Sequence, residues 1–161
     1  MNNSSQEDIV LKKIYATMSS EQKYAYLYTI FSFLSFADDE DSEDNETLEE
    51  NSLIYMQMTI LLDDTFNMIG VSQDDINNVF SYFDYKLLGP VDYLKGVDSL
   101  ILDSLLFVCS CIVESKKTEY KGHNIKNLAK EFLYDYFGQL NYSKEKVNTT
   151  INRILSFFPN K

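Results

Sequence analysis

Apolar residues recur at steps of three and four along most of the chain, and convincing strict alternation appears nowhere. That period predicts helices. Ile9, Val10, Ile14 and Met18 put one apolar side on a first helix of about 6–18, with Ser5 as its cap. Ser19 and Gln22 have capping-box spacing at the start of a second helix, about 20–36. Its Tyr24, Tyr26, Tyr28, Phe31, Phe33 and Phe36, with Leu27, Ile30 and Leu34, cover most of the circumference, which predicts a central position. A third helix starts near Thr47 and runs to Ile69. Ile54, Met58, Leu61, Leu62, Thr65, Phe66 and Ile69 lie on its inner face, and Gly70 stops it. Ser72 and Asp75 form a second capping box, and the fourth helix carries Ile76, Val79, Phe80, Phe83 and Leu87 before Gly89-Pro90. A short turn of helix is expected at 91–95. The segment of about 99–114, capped by Asp98 or Ser99, is apolar nearly all round and belongs in the middle of a bundle. Ser115 to Gly122 reads as a basic loop. Helix 124–137 then presents Ile125, Leu128, Ala129, Phe132, Leu133, Tyr136 and Phe137, and Gly138 closes it. Ser143 caps a last helix with Val147, Ile151, Ile154, Leu155 and Phe158 inside, stopped by Pro159.

Composition agrees with this pattern. Hydrophobic residues make up 45% of the 161 residues, enough for one folded domain with a real core. Five Gly and two Pro are too few for the turns of a β-sandwich. The expected fold is all-α: a single compact bundle of six to seven helices over 1–161 and no sheet. Residues 1–4 are expected to be a disordered tail and 37–47 an acidic loop. The centre should be the second helix and the 99–114 helix.

Charge divides the chain. The formal net charge is −11, from 25 acids and 14 bases. Nine of the acids lie between Asp38 and Glu50 with no base among them; without them 16 acids face 14 bases, a net of −2. Lys116 to Lys161 holds nine bases and four acids, a net of +5. An acidic balance disfavours direct binding to nucleic acid or an anionic membrane. The longest nearly apolar run, Leu100 to Val113, is too short to span a bilayer and contains Asp103. Met1 to Asp8 is polar, so no secretory signal is expected, and Cys109 and Cys111 point to different sides of a helix. A reducing, cytoplasmic setting is the expectation.

Catalytic chemistry finds little support. His123 is the single histidine, which excludes a multi-histidine metal site and makes it obligatory in any Ser-His-Asp or Cys-His device. It follows Gly122 at a helix start, the place of an exposed loop residue. The cysteines sit in the most apolar helix, where thiols are inert. Asp63-Asp64 and Asp74-Asp75 read as solvated helix surface and a cap. No phosphate loop, Cys-x-x-Cys or His-Glu-x-x-His motif occurs. The expectation is that the protein is not an enzyme.

The acidic stretch Asp38, Asp39, Glu40, Asp41, Glu43, Asp44, Glu46, Glu49 and Glu50 is the candidate site, and three readings stay open. It can be a solvated loop that keeps the protein soluble. It can hold Ca²⁺: from Asp39, oxygen-bearing residues fall at loop positions one, three, five, seven and nine (Asp39, Asp41, Glu43, Asn45, Thr47), and Glu50 falls at twelve. That is EF-hand spacing, although position six is Asp44 instead of Gly and position eight is Glu46 instead of an apolar residue. Or it can receive a protein partner with a basic surface, by imitating a phosphate backbone or plugging a basic cleft. Exposed tyrosines or phenylalanines beside it would anchor that partner.

Phe33-Leu34-Ser35-Phe36-Ala37-Asp38-Asp39-Glu40-Asp41-Ser42-Glu43-Asp44-Asn45-Glu46 resembles the acidic motif of TerB-like tellurite-resistance domains. In that family an apolar helix ends in Ala-Asp-Gly, followed by alternating acids and a Glu that opens the next helix. The resemblance extends to helix order over about 20–158. It implies an all-helical domain, a role in metal-stress responses and Ca²⁺ binding, with Asp38, Asp39, Asp41, Glu43 and Glu46 as the positions carried over. The chain departs from the pattern at Asp39, where the family has Gly. A second acidic repeat would fall near Ile112 to Lys117, where lysines largely replace the acids and argue against a second metal loop.

The leading functional expectation is a non-enzymatic, cytoplasmic acidic protein that blocks or scaffolds a basic partner, as an immunity-type or nucleic-acid-mimicking inhibitor would. No cofactor is expected. The alternative is a TerB-like domain holding Ca²⁺ through the acidic loop, with Asp39, Asp41, Glu43 and Glu50 as metal ligands. Lys116, Lys117, Lys121, Lys126 and Lys130 read as surface lysines. They could also receive the acidic loop of the same chain, or of the neighbour in a homodimer.

Overall fold

Side-chain caps set most helix starts. In a computed structural model describing residues 6–38 and 46–157, Ser19 and Gln22 exchange the two bonds of a capping box, and so do Ser72 and Asp75. Ser52, Asp98, Asn124 and Ser143 each accept from a backbone N–H of the turn they begin. The resulting order is α1 (Gln6–Tyr15), α2 (Ser20–Leu34), α3 (Leu53–Ile69), α4 (Gln73–Asn78), a 3₁₀ turn (Ser81–Phe83), α5 (Pro90–Leu94), α6 (Ser99–Glu114), β1 (Glu119–Tyr120), β2 (His123–Asn124), α7 (Ile125–Gly138) and α8 (Lys144–Ser156).

This is an all-α fold. Helix α6 lies in the middle, packed by α1, α2, α3, α7 and α8, and α5 lies against α2. Ile101, Leu105, Leu106, Val108, Cys109, Ile112 and Val113 of α6 are buried, together with Tyr26, Leu27, Ile30 and Phe33 of α2. The expected centre is therefore the observed one. Four of the polar side chains inside it bond to one another in pairs. The hydroxyls of Tyr15 and Tyr26 bond to each other at 2.9 Å, and Thr29 bonds to Tyr136.

Several boundaries differ from the sequence expectation. The described residues form eight α-helices, one more than the upper expectation. Helix α1 stops at Tyr15 and α2 at Leu34, after which Ala37 takes a left-handed φ of 65° and turns the chain. Helix α3 begins at Leu53, not near Thr47. Glu49 and Glu50 therefore precede the helix instead of forming its first turn. Gly70 ends α3 as expected, at φ 75° with its N–H on the Phe66 carbonyl. The fourth helix ends at Asn78; Leu87 is fully exposed, and Phe80 is half exposed. Leu128 of α7 is also exposed, at 47%. Gly138 remains helical, and the chain turns later, at Asn141. A small antiparallel hairpin, β1–β2, replaces part of the expected loop. Its central residues Lys121 and Gly122 both have positive φ, as a tight primed turn requires. Ser5, Phe158, Pro159 and the 1–4 tail lie outside the described residues.

The base of the acidic segment, a candidate functional site

The two ends of the acidic stretch are fastened to the chain that leaves α6. Leu48 and Lys116 form an isolated antiparallel bridge. On either side of it, Glu49 N–H donates to the Ser115 carbonyl at 2.7 Å and Lys117 N–H donates to the Thr47 carbonyl at 2.7 Å. Leu48 fills the space beneath and is 2% exposed. The C-terminal end of a charged surface segment is thus tied down by backbone bonds and one apolar plug.

Lys116 turns inward and is fully buried. Its Nζ donates to the Leu34 carbonyl at 2.8 Å, the Phe36 carbonyl at 3.2 Å and Thr47 Oγ1 at 2.7 Å. An ammonium has three N–H donors, and all three are used. Leu34 is the last residue of α2, whose terminal carbonyls have no partners within the helix and form its negative end. Lys116 therefore closes the C-terminus of α2 from across the fold. The Thr47 hydroxyl in turn donates to Asp38 Oδ1 at 2.7 Å, and Asp38 also accepts Thr47 N–H at 3.2 Å. Burial pulls the Lys116 ammonium down to about 8, and the Asp38 carboxylate opposes that fall. The expectation of a surface lysine is corrected. Its side chain reaches buried oxygen acceptors, and solvation by carbonyl dipoles substitutes for water.

Around this anchor the charges alternate. Tyr120 donates its hydroxyl to the Glu46 carboxylate, and the Lys117 and Lys121 ammonium groups lie over the Tyr120 ring at 5.6 and 5.3 Å. Glu46, Glu49, Glu50, Leu48, Lys117 and Tyr120 line an open cleft of about 450 Å³. Two residues before Lys116, the buried Glu114 carboxylate is faced by Lys130 at 3.5 Å and Lys126 at 3.9 Å. Part of the basic region does receive the acidic segment of its own chain.

The expected site residues separate into three groups. Asp38 and Glu46 are half-buried and structural, bonded to Thr47 and Tyr120. Glu49 and Glu50 are exposed at the cleft. Asp39, Glu40, Asp41, Glu43 and Asp44 lie outside the described residues, and so does Asn45. Among the described residues no three His, Cys, Asp or Glu side chains gather as a metal site. Thr47, ninth in the EF-hand spacing, is occupied by Lys116 and Asp38.

Sequence reasoning missed the inward turn of Lys116 and the roles of Thr47 and Tyr120. It also missed an exposed apolar row after the segment. Leu53, Met56 and Ile60 of α3 are 61%, 56% and 56% exposed. The exposed apolar residues that directly follow the segment are thus aliphatic, not aromatic. Their signal was present: once the inward set is removed, they remain at i, i+3 and i+7. The charge imbalance is also broader than the nine-acid stretch. From Tyr24 to Tyr85 there are fourteen acids and no Lys, Arg or His, while the other residues hold 11 acids and 14 bases, a net of +3.

The remaining reactive groups lie apart. Cys109 and Cys111 are free and buried, and burial pushes the Cys111 thiol up to about 12 and the Cys109 thiol well above its ordinary value. His123 is exposed on β2. Asp63 and Asp64 are exposed, as expected. No described helix is long and apolar enough to cross a membrane. Comparison with protein-family models, with curated proteins and with solved structures gives no match.

Proposed function

We propose that the protein is a non-enzymatic acidic binding protein that blocks or scaffolds a protein partner with a basic surface. One observation carries this reading: the ends of a strongly anionic segment are braced against the helical body by the buried Lys116 and by the Leu48–Lys116 bridge. Bracing at the two ends lowers the freedom that the described end residues lose on binding, and the field of the acids steers a cationic partner toward them. The lack of any base between Tyr24 and Tyr85 extends that field over neighbouring helices. An immunity-type antagonist or a nucleic-acid mimic is the form of inhibitor this suits. The alternative, a Ca²⁺-holding stress domain, would rest on Asp39, Asp41, Glu43 and Glu50.

The test is co-purification at low and high salt, with wild type and with a variant in which Asp41, Asp44, Glu43, Glu49 and Glu50 are amidated to Asn or Gln. Asp38 is left intact because it supports Thr47. A basic protein should be retained at about 50 mM salt, weakened at about 0.5 M, and held at least about tenfold less tightly by the variant. Equal retention by both forms would remove the electrostatic reading. Calorimetric heat on adding Ca²⁺, abolished by Asp39→Asn with Asp41→Asn, would move the assignment to the metal-holding alternative.

A further inference from the structure

The inward face of α3 is complete without three of its apolar residues. Ile54, Met58 and Ile69 are buried, whereas Leu53, Met56 and Ile60 are more than half exposed. Spacings of three and four put those three on one side of the helix, as a row about 10 Å long. Exposed acids stand at both ends: Glu49 and Glu50 before it, Asp63 and Asp64 after it. Helix α3 contains no basic residue. An apolar centre within an anionic rim has the anatomy of an interface.

We propose that this face docks a basic amphipathic helix of a partner protein. Such a helix would carry apolar residues at helical spacing against Leu53, Met56 and Ile60, and Lys or Arg toward both ends. The inference rests on the basic-partner reading and adds where the partner sits and what shape it has. Charge complementarity selects this occupant. A second copy placed twofold on the same face would set four carboxylates against four. The segments outside the described residues hold one base, Lys161, and are poorly suited to cover an anionic face. An anionic lipid surface would be repelled.

The probe is a synthetic helical peptide of about 15 residues with Leu at i, i+3 and i+7 and Lys at both ends. A scrambled peptide of the same composition, without the apolar face, is the control. Fluorescence anisotropy follows binding to the wild type and to Met56→Ser with Ile60→Ser; circular dichroism checks that the variant is folded. The amphipathic peptide should bind the wild type at least about tenfold more tightly than the scrambled one, and the double variant should lose most of that preference. Raising salt from about 50 mM to 0.5 M should weaken it further. Equal binding of both peptides would overturn the docking face while leaving the electrostatic reading intact. Failure of both peptides at about 100 μM would overturn the docking face and count against the basic-partner reading as well. A dimer in solution that the same substitutions dissociate would overturn it in favour of a second copy.

Discussion

Helices α3 and α6 have nearly the same length, 17 and 16 residues, and both are rich in apolar side chains, yet the fold uses them differently. Helix α6 is enclosed by five others and leaves Leu100 as its one exposed large hydrophobic. Helix α3 is packed chiefly by α6 and α1 on one side, and Leu53, Met56 and Ile60 face solvent on the other. Apolar content by itself therefore does not say which helix is central. What separates the two is where each falls in the packing order. In α6 the apolar excess stabilises the domain; in α3 part of it is left over, beside the most acidic stretch of the chain.

Substitutions can break or sharpen that contrast. The largest effect is expected in α6: Leu105→Ala, at a fully buried position, should cost about 3 kcal/mol, read as a fall in the midpoint of urea unfolding. A loss under 1 kcal/mol would mean that α6 is not the tight centre described.

Lys116 comes next. Lys116→Ala should cost about 2–3 kcal/mol, because it leaves the Leu34 and Phe36 carbonyls and Thr47 Oγ1 without their shared donor. Hydrogen exchange should also accelerate at the Glu49 and Lys117 amides, which hold the segment in place. A pH series adds a sign. The folded value of about 8 lies below the ordinary 10.5, so between these pH values the native state sheds its proton first. This group's contribution to stability therefore rises from pH 8 to 10.5, and that rise should vanish in Lys116→Ala. Tyr26, whose hydroxyl burial pushes well above 10, acts oppositely and lowers stability as pH climbs past 10.

The smallest effect belongs to the exposed face. Ile60→Ser should change stability by no more than about 0.5 kcal/mol. A loss above about 1.5 kcal/mol would show that Ile60 is buried in solution and would end the contrast with α6.

Much of the fold was legible because its signals are local. Ser19 with Gln22, and Ser72 with Asp75, announce helix starts through atoms three residues apart. Gly70 ends α3 through its own φ. The failures have the opposite character. The fourth helix reads as continuing to Leu87 by periodicity, but a 3₁₀ turn replaces it after Asn78; Phe83 still packs against the core, and Leu87 ends in solvent. The β1–β2 hairpin was hidden because its turn is Lys121-Gly122, not the usual Asn-Gly signal. Of the candidate site, the acidic stretch was visible as composition. Its fastening was not, since Lys116 meets Thr47 and Leu34 from 69 and 82 residues away.

The sequence by itself determined a mainly helical chain with α2 and α6 at its centre, most helix starts, and a steep division of charge. Caps, periodicity and charge counts need only neighbours a few residues apart, so they can be read along a line. Only the tertiary structure decided that Lys116 points inward, that Thr47 and Asp38 support it, and that Leu53, Met56 and Ile60 point out. A buried ammonium depends on acceptors gathered from two separate stretches, both distant from it in sequence, and an exposed apolar face depends on which neighbours fail to cover it. Both are properties of packing in space: no local pattern marks the first, and the i, i+3, i+7 spacing marks the second only once the inward set is known.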